Sequence, residues 1–183
     1  NPIQKPHPPI WVAARSPITF DYAVANDCNV MSWPIARPFT EAELYKRQFD
    51  ESVAAHPNHD APTWALMRHT AVYDSADEWM VPVEAARRQL SQFENLFKNL
   101  GDVEDGFPRA IPMEEVANAA EYEPRSLSEN LVFGTPDEVI EKLRMYEALG
   151  VDEFIYYASL GLGHSQQKRS MELFCDEVIP AFI

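Results

Sequence analysis

The sequence IWVAARSPIT, at residues 10–19, joins a short apolar run directly to the start of a helix. The run at 10–14 has the length and the apolar content of a buried strand. Ser16 followed by Pro17 is a common helix beginning, because serine caps the first turn and proline fits the first helical position. The segment therefore predicts a strand that turns tightly into a helix.

The same alternation of strand and helix recurs along the chain. Strands are predicted at 10–14, 29–33, 65–73 and 151–157, and helices begin at Ser16, at a Thr40 capping box, at Ser75, at a Thr135 capping box and at Ser165. Such alternation makes a parallel sheet with right-handed crossovers. Two α/β architectures fit: a small doubly wound domain, or half of a (β/α)8 barrel, since a whole barrel has eight units and about 250 residues.

The periodicity fades over residues 101–134, between the third predicted strand and the helix at Thr135. Gly106, Pro108, Pro112 and Pro124 lie in this stretch and interrupt any long helix or strand. A connection of this length inside a compact domain is usually functional or inserted. We therefore interpret 101–134 as an insertion or loop region within one domain that spans 1–183.

Composition excludes several classes of function. The chain has 29 acidic and 15 basic residues, a net charge of −14, which argues against binding nucleic acid. No apolar run approaches the roughly 18 residues of a membrane span, and no secretion signal opens the chain. The two cysteines, Cys28 and Cys175, are interpreted as reduced core thiols. These observations predict a cytoplasmic protein that binds neither membrane nor nucleic acid.

The loop after the first strand carries the strongest binding signal, because ligands gather at the carboxyl ends of parallel strands. It brings together a guanidinium, two hydroxyls and the amides of a helix N-terminus, which is a chemical set suited to phosphate: Ala14, Arg15, Ser16, Ile18 and Thr19. The alternative is that Ser16 only caps the helix and Arg15 is a solvated charge. Spacing alone favours this alternative.

Other candidate positions are weaker. Trp33 follows the second strand and offers a face on which a flat ligand can stack, although core packing is the more common role of a lone tryptophan. Gly161 and Gly163 indicate a turn rather than a dinucleotide motif. His56 and His59 lack a third ligand at metal-binding spacing and are interpreted as a polar loop. No catalytic residue and no metal ligand is predicted.

Two segments of the chain resemble the luciferase-like flavin-dependent monooxygenases. The sequence PHPPIWVAA at 6–14, with Ser16, Pro17 and Thr19 after it, is similar to the middle of that family. The sequence FGTPDEV at 133–139, then GVDE at 150–153 and SMELF at 170–174, looks like the family's C-terminal signature. Two such segments in the right order are more specific than either one.

The resemblance implies a (β/α)8 TIM barrel of which 1–183 is the C-terminal half, roughly strands five to eight with a late insertion. It implies reduced FMN as cofactor, O2 and a small organic molecule as substrates, and a flavin reductase as the supplier of reduced FMN. Relatives in the same superfamily use F420 instead, for hydride transfer. Family members commonly form dimers, and a half barrel needs its N-terminal half. A non-catalytic flavin-binding or partner subunit is the competing hypothesis.

The resemblance also implies site residues. In the family the flavin phosphate sits at the loop after the fifth strand, which places Ser16 and Thr19 at the phosphate contacts. A carboxylate stands in bacterial luciferases where this chain has Arg15, and a cation there is compatible with phosphate. Trp33 falls one position from a family tryptophan near the flavin ring. The usual catalytic histidine belongs to the first half of the barrel, so the isolated half is expected to be inactive.

Overall fold

The computed structural model describes residues 3–98, 103–108, 122–158 and 160–183. The strands are β1 (Trp11–Ala13), β2 (Asn29–Ser32), β3 (Trp64–Val72), β4 (Val103–Glu104), β5 (Phe107–Pro108), β6 (Val132–Gly134) and β7 (Glu153–Tyr157). The α-helices are α1 (Pro17–Ala25), α2 (Phe39–Ala55), α3 (Met80–Lys98), α4 (Pro124–Asn130), α5 (Pro136–Leu149) and α6 (His164–Leu173). An α/β fold is therefore confirmed.

Contacts divide the chain into two compact units. Unit 1 comprises Asn1–Pro34, Pro38–Arg68 and Met145–Tyr156, and unit 2 comprises Ile35–Arg37, His69–Arg144 and Tyr157–Ile183. The strand β3 contributes its first five residues to unit 1 and its last four to unit 2.

The sheet of unit 1 is parallel, as predicted. β1 pairs with β2, with Val12 opposite Val30, and β2 pairs with the first half of β3, with Met31 opposite Ala65. β7 also pairs with β3. The helices α1 and α2 pack against each other and supply the crossovers between these strands.

Four aromatic side chains form the core of unit 1. Phe20 from α1 lies against Tyr45 and Phe49 from α2, and the Phe49 ring stacks on the Trp64 ring with 6.0 Å between centroids. Trp64 donates its indole N–H to the Ser32 hydroxyl at 3.1 Å, so the one polar atom of this buried ring is satisfied. The helix layer is thereby fixed to the sheet.

The other side of the unit 1 sheet is less covered. Trp11 in β1 is 41% exposed and Ala13 is also exposed, although both lie in a strand. Val12, between them, is only partly exposed, and Ala14 is buried. Alternation along β1 thus separates a packed face from an open face.

Unit 2 is built around the second half of β3. This half pairs in parallel with β6, with Ala71 opposite Phe133, and its last amide, on Val72, donates to the buried Ser170 hydroxyl at 2.7 Å. A hydrophobic cluster of buried residues packs on these strands. Its members come from β3, α3, α4, β6 and the loop after β7: Ala71, Tyr73, Val83, Ala85, Ala86, Leu90, Tyr122, Leu127, Leu131, Phe133 and Leu160.

The predicted insertion contains ordered elements that periodicity did not indicate. β4 and β5 pair as a short antiparallel hairpin, and α4 leads directly into β6. Lys142 on α5 donates three hydrogen bonds to main-chain carbonyls, on Ser128, Leu131 and Phe133, at 2.6, 2.8 and 3.0 Å. A single partly buried amine thus serves carbonyls of the last turn of α4, of Leu131 and of β6. Residues 109–121 lie outside the described part of the chain.

Glycines at two positions explain the family-like motifs. Gly150 ends α5 with φ +88°, a left-handed conformation that glycine adopts without steric penalty. Gly134 has no room for a side chain, because a Cβ there would lie 2.7 Å from the Cβ of Glu138. Glu138 uses that space to accept a hydrogen bond from the Thr135 amide at 2.8 Å, which is the glutamate half of the capping box predicted at Thr135.

Several predicted boundaries need correction. The capping box at Thr40 is wrong: α2 begins at Phe39 behind Pro38, so Thr40 already lies inside the helix. The helix predicted from Ser75 is divided into a short 3₁₀ turn, Ala76–Glu78, and α3. The helix predicted at 165–182 continues past α6 as a π-helical turn and a 3₁₀ turn.

Among the residues that the structure describes, no helix combines the length and apolar content needed to cross a bilayer. Cys28 is buried, as predicted, whereas Cys175 is exposed on the last helix, so its prediction as a core thiol is wrong.

Candidate functional site

The predicted phosphate loop lies at the carboxyl edge of the unit 1 sheet. Ala14 is buried and anchors the start of the loop, since its amide donates to the Met31 carbonyl at 2.9 Å and its carbonyl accepts from the Ser32 hydroxyl at 2.8 Å. These bonds hold the end of β1 beside the end of β2. The two loops that follow these strands therefore start at fixed positions beside each other.

The start of α1 presents two hydroxyls together. The Ser16 and Thr19 hydroxyl oxygens lie 3.0 Å apart, and Ser16 makes no side-chain cap to the helix backbone. The Ser16 carbonyl accepts the first hydrogen bonds of the helix, from the amides of Thr19 and Phe20 at 3.0 and 3.1 Å. The Ser16 hydroxyl is thus bonded to the Thr19 hydroxyl and does not cap the helix, in contrast to the alternative in which Ser16 serves only as a cap.

The remaining donors of this loop are exposed. Arg15 and Ser16 face solvent, and Ile18 is 84% exposed although it is apolar. In the described part of the chain the Ile18 amide makes no hydrogen bond, whereas the Thr19 amide is used by Ser16. Of the two amides predicted for phosphate, only that of Ile18 is thus free, and it joins two hydroxyls and a guanidinium.

Trp33 lies directly after β2 and is half-buried between two buried residues, Ser32 and Pro34. Ala13 is in register with Met31, so the loops that contain Arg15 and Trp33 leave the sheet at the same edge. The structure therefore brings the predicted phosphate loop and the predicted stacking residue to one side of unit 1.

Unit 2 contains a separate cleft that the sequence did not predict. It has a volume of about 190 Å³ and is lined by residues at the end of β3, the start of α3 and the start of α6: Ala71, Val72, Tyr73, Asp74, Glu78, Val81, Pro82, Leu162, Ser165, Gln166, Arg169 and Ser170. Tyr73 and Asp74 directly follow the nine-residue strand β3, and this position at the carboxyl end of a strand is the sequence signal that could have indicated the cleft. Arg169 lies 95 positions from Asp74, and no sequence pattern joins them.

An ion pair crosses this cleft. Arg169 donates through Nε and one terminal nitrogen to the two carboxylate oxygens of Asp74, at 3.0 and 2.5 Å. The hydrogen bond from Arg169 lowers the pKa of Asp74, and the same bond raises the pKa of Arg169. Both side chains are about half exposed, at 53% and 51%. The pair is therefore well aligned but accessible to water and ligands.

Tyr73 lines the same cleft. It is 8% exposed, and burial, followed by the carboxylates of Glu138 and Glu78, raises the pKa of Tyr73 to about 12. The phenol thus keeps its proton at neutral pH and can donate a hydrogen bond.

His56 and His59 are each paired with a carboxylate. His56 and His59 bond separately to carboxylates of unit 1, His56 to Asp21 at 2.7 Å and His59 to Asp27 at 2.8 Å. The described ranges contain no group of three or more His, Cys, Asp or Glu side chains able to hold a metal ion. These pairs fasten the loop after α2 to α1, in agreement with its interpretation as a polar loop.

Comparisons with known proteins agree with this architecture. The family model of the luciferase-like monooxygenases matches residues 1–153. A curated relative, the oxygenase component of the flavin-dependent trigonelline monooxygenase of Acinetobacter baylyi, is 35% identical over 182 residues, covering 100% of this chain and 51% of the relative. The chain therefore spans about half the length of this relative.

Solved structures show the same fold. The oxygenating constituent of 3,6-diketocamphane monooxygenase from Pseudomonas putida, in complex with FMN, superimposes with a TM-score of 0.63 at 19% identity over 94% of this chain and 48% of its own. An F420-dependent secondary alcohol dehydrogenase gives a TM-score of 0.63 at 19% identity, over 98% of this chain and 50% of its own. With residues 1–153 matched by the family model, the chain belongs to the luciferase-like monooxygenase family.

Proposed function

We propose that the chain is the C-terminal half of an FMN-dependent oxygenase component, which uses O2 to oxygenate a small organic substrate. The observation that carries this proposal is the pair of hydroxyls on Ser16 and Thr19, 3.0 Å apart and not used to cap α1. The 35% identity to the oxygenase component of a flavin-dependent monooxygenase supports the reaction class.

In this proposal β1, β2, β3 and β7 are strands five to eight of a (β/α)8 barrel. The open face of β1, with Trp11 41% exposed, supports it because the inner face of a half barrel is covered only when the other half is present. The N-terminal half, or a second subunit in a dimer, is thus required for activity. The isolated half is expected to be inactive.

The residues of the loop fit the phosphate of FMN. The Ser16 and Thr19 hydroxyls and the Ile18 amide donate hydrogen bonds to the phosphate oxygens, and the Arg15 guanidinium balances their charge. The anchoring of Ala14 by Ser32 keeps these donors in place before the cofactor arrives. Trp33, at the same edge, packs against the flavin ring and excludes water from it. Bound reduced FMN supplies the electrons that activate O2.

FMN is preferred to F420 because the relative at 35% identity is flavin-dependent, whereas the F420 enzyme shares the fold at 19% identity. That relative is an oxygenase component, which supports a separate flavin reductase as the source of reduced FMN. Its substrate, trigonelline, is an N-methylpyridinium carboxylate. We extend this chemistry to the present chain and propose a nitrogen heteroaromatic zwitterion as its substrate.

The test is FMN binding by the full-length protein, measured by fluorescence titration. The double variant Ser16→Ala/Thr19→Ala is expected to weaken FMN binding by about 1–3 kcal/mol, since hydrogen bonds to a charged group are lost. Thr40→Ala is the matched control, because Thr40 is an exposed hydroxyl in the first turn of the neighbouring helix α2. Equal affinity of the double variant and the control would refute the phosphate assignment.

A second measurement addresses the flavin ring and the reaction. Trp33→Ala is expected to increase the fluorescence of bound FMN, because an adjacent indole quenches a flavin on which it packs. Unchanged fluorescence would remove Trp33 from the site. Substrate-dependent consumption of O2 with reduced FMN identifies an oxygenase, whereas FMN binding with no turnover would identify a non-catalytic flavin-binding subunit. A bound cofactor with the absorption spectrum of F420 would replace FMN in the proposal.

A further inference from the structure

Trp64, Ser32 and Ala14 form a hydrogen-bond relay that crosses unit 1 from β3 through β2 to the residue after β1. The Trp64 indole N–H donates to the Ser32 hydroxyl oxygen at 3.1 Å, and the Ser32 hydroxyl donates to the Ala14 carbonyl at 2.8 Å. All three residues are completely buried. The relay therefore connects the core of unit 1 to the first residue of the phosphate loop without access to water.

The chemistry of the three groups fixes the direction of the relay. An indole N–H can only donate a hydrogen bond, and a carbonyl can only accept one. Because the indole occupies a lone pair of the Ser32 oxygen, the one proton of this hydroxyl is directed at the Ala14 carbonyl. A hydroxyl that accepts one hydrogen bond is also polarised towards donating the next. The indole of Trp64 thus strengthens and orients a bond that it does not make itself.

Trp64 is a donor in a fixed position. Its ring stacks on the Phe49 ring of α2, with 6.0 Å between centroids and 19° between the ring planes. Its main chain lies in the parallel sheet, where Trp64 is in register with Val30 of β2. The indole cannot turn away from Ser32 without losing the contact with Phe49, so the relay is in place before any ligand binds.

The relay determines how the phosphate loop leaves the sheet. The amide of Ala14 donates to the Met31 carbonyl at 2.9 Å, and the carbonyl of Ala14 is held by Ser32. Because each peptide group is planar, these two bonds fix the peptide planes on both sides of Ala14, including the plane that carries the Arg15 amide. One residue, Arg15, then separates this anchor from Ser16. The position of the loop hydroxyls therefore depends on the anchor.

We propose that Trp64 is a positioning residue for the flavin phosphate, which acts through Ser32 and Ala14 and contributes to selectivity for FMN over riboflavin. The inference rests on the proposed function for the identity of the ligand. Trp64 acts indirectly, since its indole is completely buried and bonds to Ser32 rather than to a side chain of the loop.

The test compares FMN with riboflavin, which has the same ring and ribityl chain and lacks the phosphate. Fluorescence titration of the full-length protein gives the Kd of each, and the ratio of the riboflavin Kd to the FMN Kd measures the contribution of the phosphate. Trp64→Phe removes the N–H donor and keeps an aromatic ring against Phe49, and it is expected to lower this ratio about threefold to tenfold. A purely structural role weakens both ligands equally, so an unchanged ratio would overturn the proposal.

A second variant interrupts the relay at its centre. Ser32→Ala leaves the Trp64 indole N–H and the Ala14 carbonyl without their shared partner, and it is expected to lower the ratio by about tenfold or more. Ser52→Ala is the matched control, because Ser52 is also a buried serine of unit 1 but donates to the Gln48 carbonyl within α2 at 2.9 Å. Equal ratios for these two variants would refute the role of Ser32 in the relay.

Hydrogen exchange of the flavin-free protein tests the positioning without a ligand. Trp64→Phe is expected to raise the exchange rate of the Ala14 amide at least about threefold relative to the amides of α2, because the anchor of the loop is loosened while the helix is retained. An equal change in both regions indicates a general loss of stability and contradicts the relay. No change in either region contradicts it as well.

The outcomes distinguish the relay from the proposed function. If Ser16→Ala/Thr19→Ala lowers the ratio and Trp64→Phe does not, the relay is refuted and the phosphate assignment stands. If both variants lower the ratio and Ser52→Ala does not, the relay and the phosphate assignment are supported together. If the unmodified protein binds FMN and riboflavin with equal affinity, the phosphate assignment is refuted, and the role of Trp64 in it is refuted at the same time.

Discussion

Asp152 and Trp64, 88 positions apart, are joined by two reciprocal hydrogen bonds. The Trp64 amide donates to the Asp152 carboxylate at 2.8 Å, and the Asp152 amide donates to the Trp64 carbonyl at 3.1 Å. The first residue of β3 is thus fixed by the turn that precedes β7. Gly150 and Asp152 of the family-like GVDE sequence have distinct roles, because Gly150 ends α5 and Asp152 fastens the next strand.

Asp152→Ala is expected to destabilise the protein by about 1–3 kcal/mol, because it leaves the buried amide of Trp64 without an acceptor. The free energy of unfolding in urea measures the loss. Glu153→Ala serves as the control, since Glu153 is the adjacent exposed carboxylate. Equal stability of the two variants would show that the reciprocal hydrogen bonds contribute nothing.

Lys142→Met is expected to lower stability by about 1–3 kcal/mol, because three carbonyls at the ends of α4 and β6 lose their shared donor while the apolar stem is preserved. Hydrogen exchange of the α4 and β6 amides gives a second readout, with protection lost in this region first. Lys168→Met provides the comparison, since Lys168 is largely exposed and pairs with Glu172 at 3.5 Å. A loss of protection elsewhere would contradict the assigned role.

Tyr73 makes stability depend on alkaline pH. Burial raises its pKa from 10.0 to about 12, so the folded state holds the phenolic proton more tightly than the unfolded state does. This contribution is complete below pH 10 and is lost as pH rises towards 12. The free energy of unfolding of the Tyr73→Phe variant is therefore expected to fall by about 1–2 kcal/mol less than that of the unmodified protein when the pH is raised from 10 to 12. Chemical denaturation at both pH values measures the difference.

Tyr22→Phe is the control for this pH dependence, because Tyr22 is 58% exposed. The free energy of unfolding of Tyr22→Phe is expected to change with pH as that of the unmodified protein does, over the same pH range. If Tyr73→Phe follows it as well, the buried phenol is not responsible for the alkaline loss.

Local patterns predicted the repeated elements well. The strand and helix that flank Ser16 and Pro17 have local causes, a short apolar run, a cap and a fixed proline φ, and the structure confirms both. The parallel pairing follows from the alternation itself. By contrast, α4 and β6 have few local signals, and they depend on Lys142 and on the hydrophobic cluster of unit 2. Elements that are stabilised by distant contacts leave little trace in sequence periodicity.

The candidate sites divide in the same way. The phosphate loop could be predicted because its groups are consecutive in the chain, from Ala14 to Thr19. The cleft could not, because Asp74 and Arg169 are 95 positions apart in the chain and meet only in the folded structure. The resemblance to the family indicated a flavin for the loop but did not indicate the cleft.

Both ends of β3 are held by residues that the ribosome adds much later. The Trp64 amide has no acceptor until Asp152 has been synthesised, and the Val72 amide has none until Ser170, 98 positions downstream, has been synthesised. At about 5 to 20 residues per second, that interval lasts roughly 5 to 20 s. During it the nine-residue strand β3, most of whose residues are buried in the folded protein, has incomplete pairing, which is the condition under which chaperones bind nascent chains. The strand β3 is therefore synthesised well before the residues that bond to its two ends. A pause in translation after β3 prolongs the time during which its apolar side chains are exposed, and so raises the risk of aggregation.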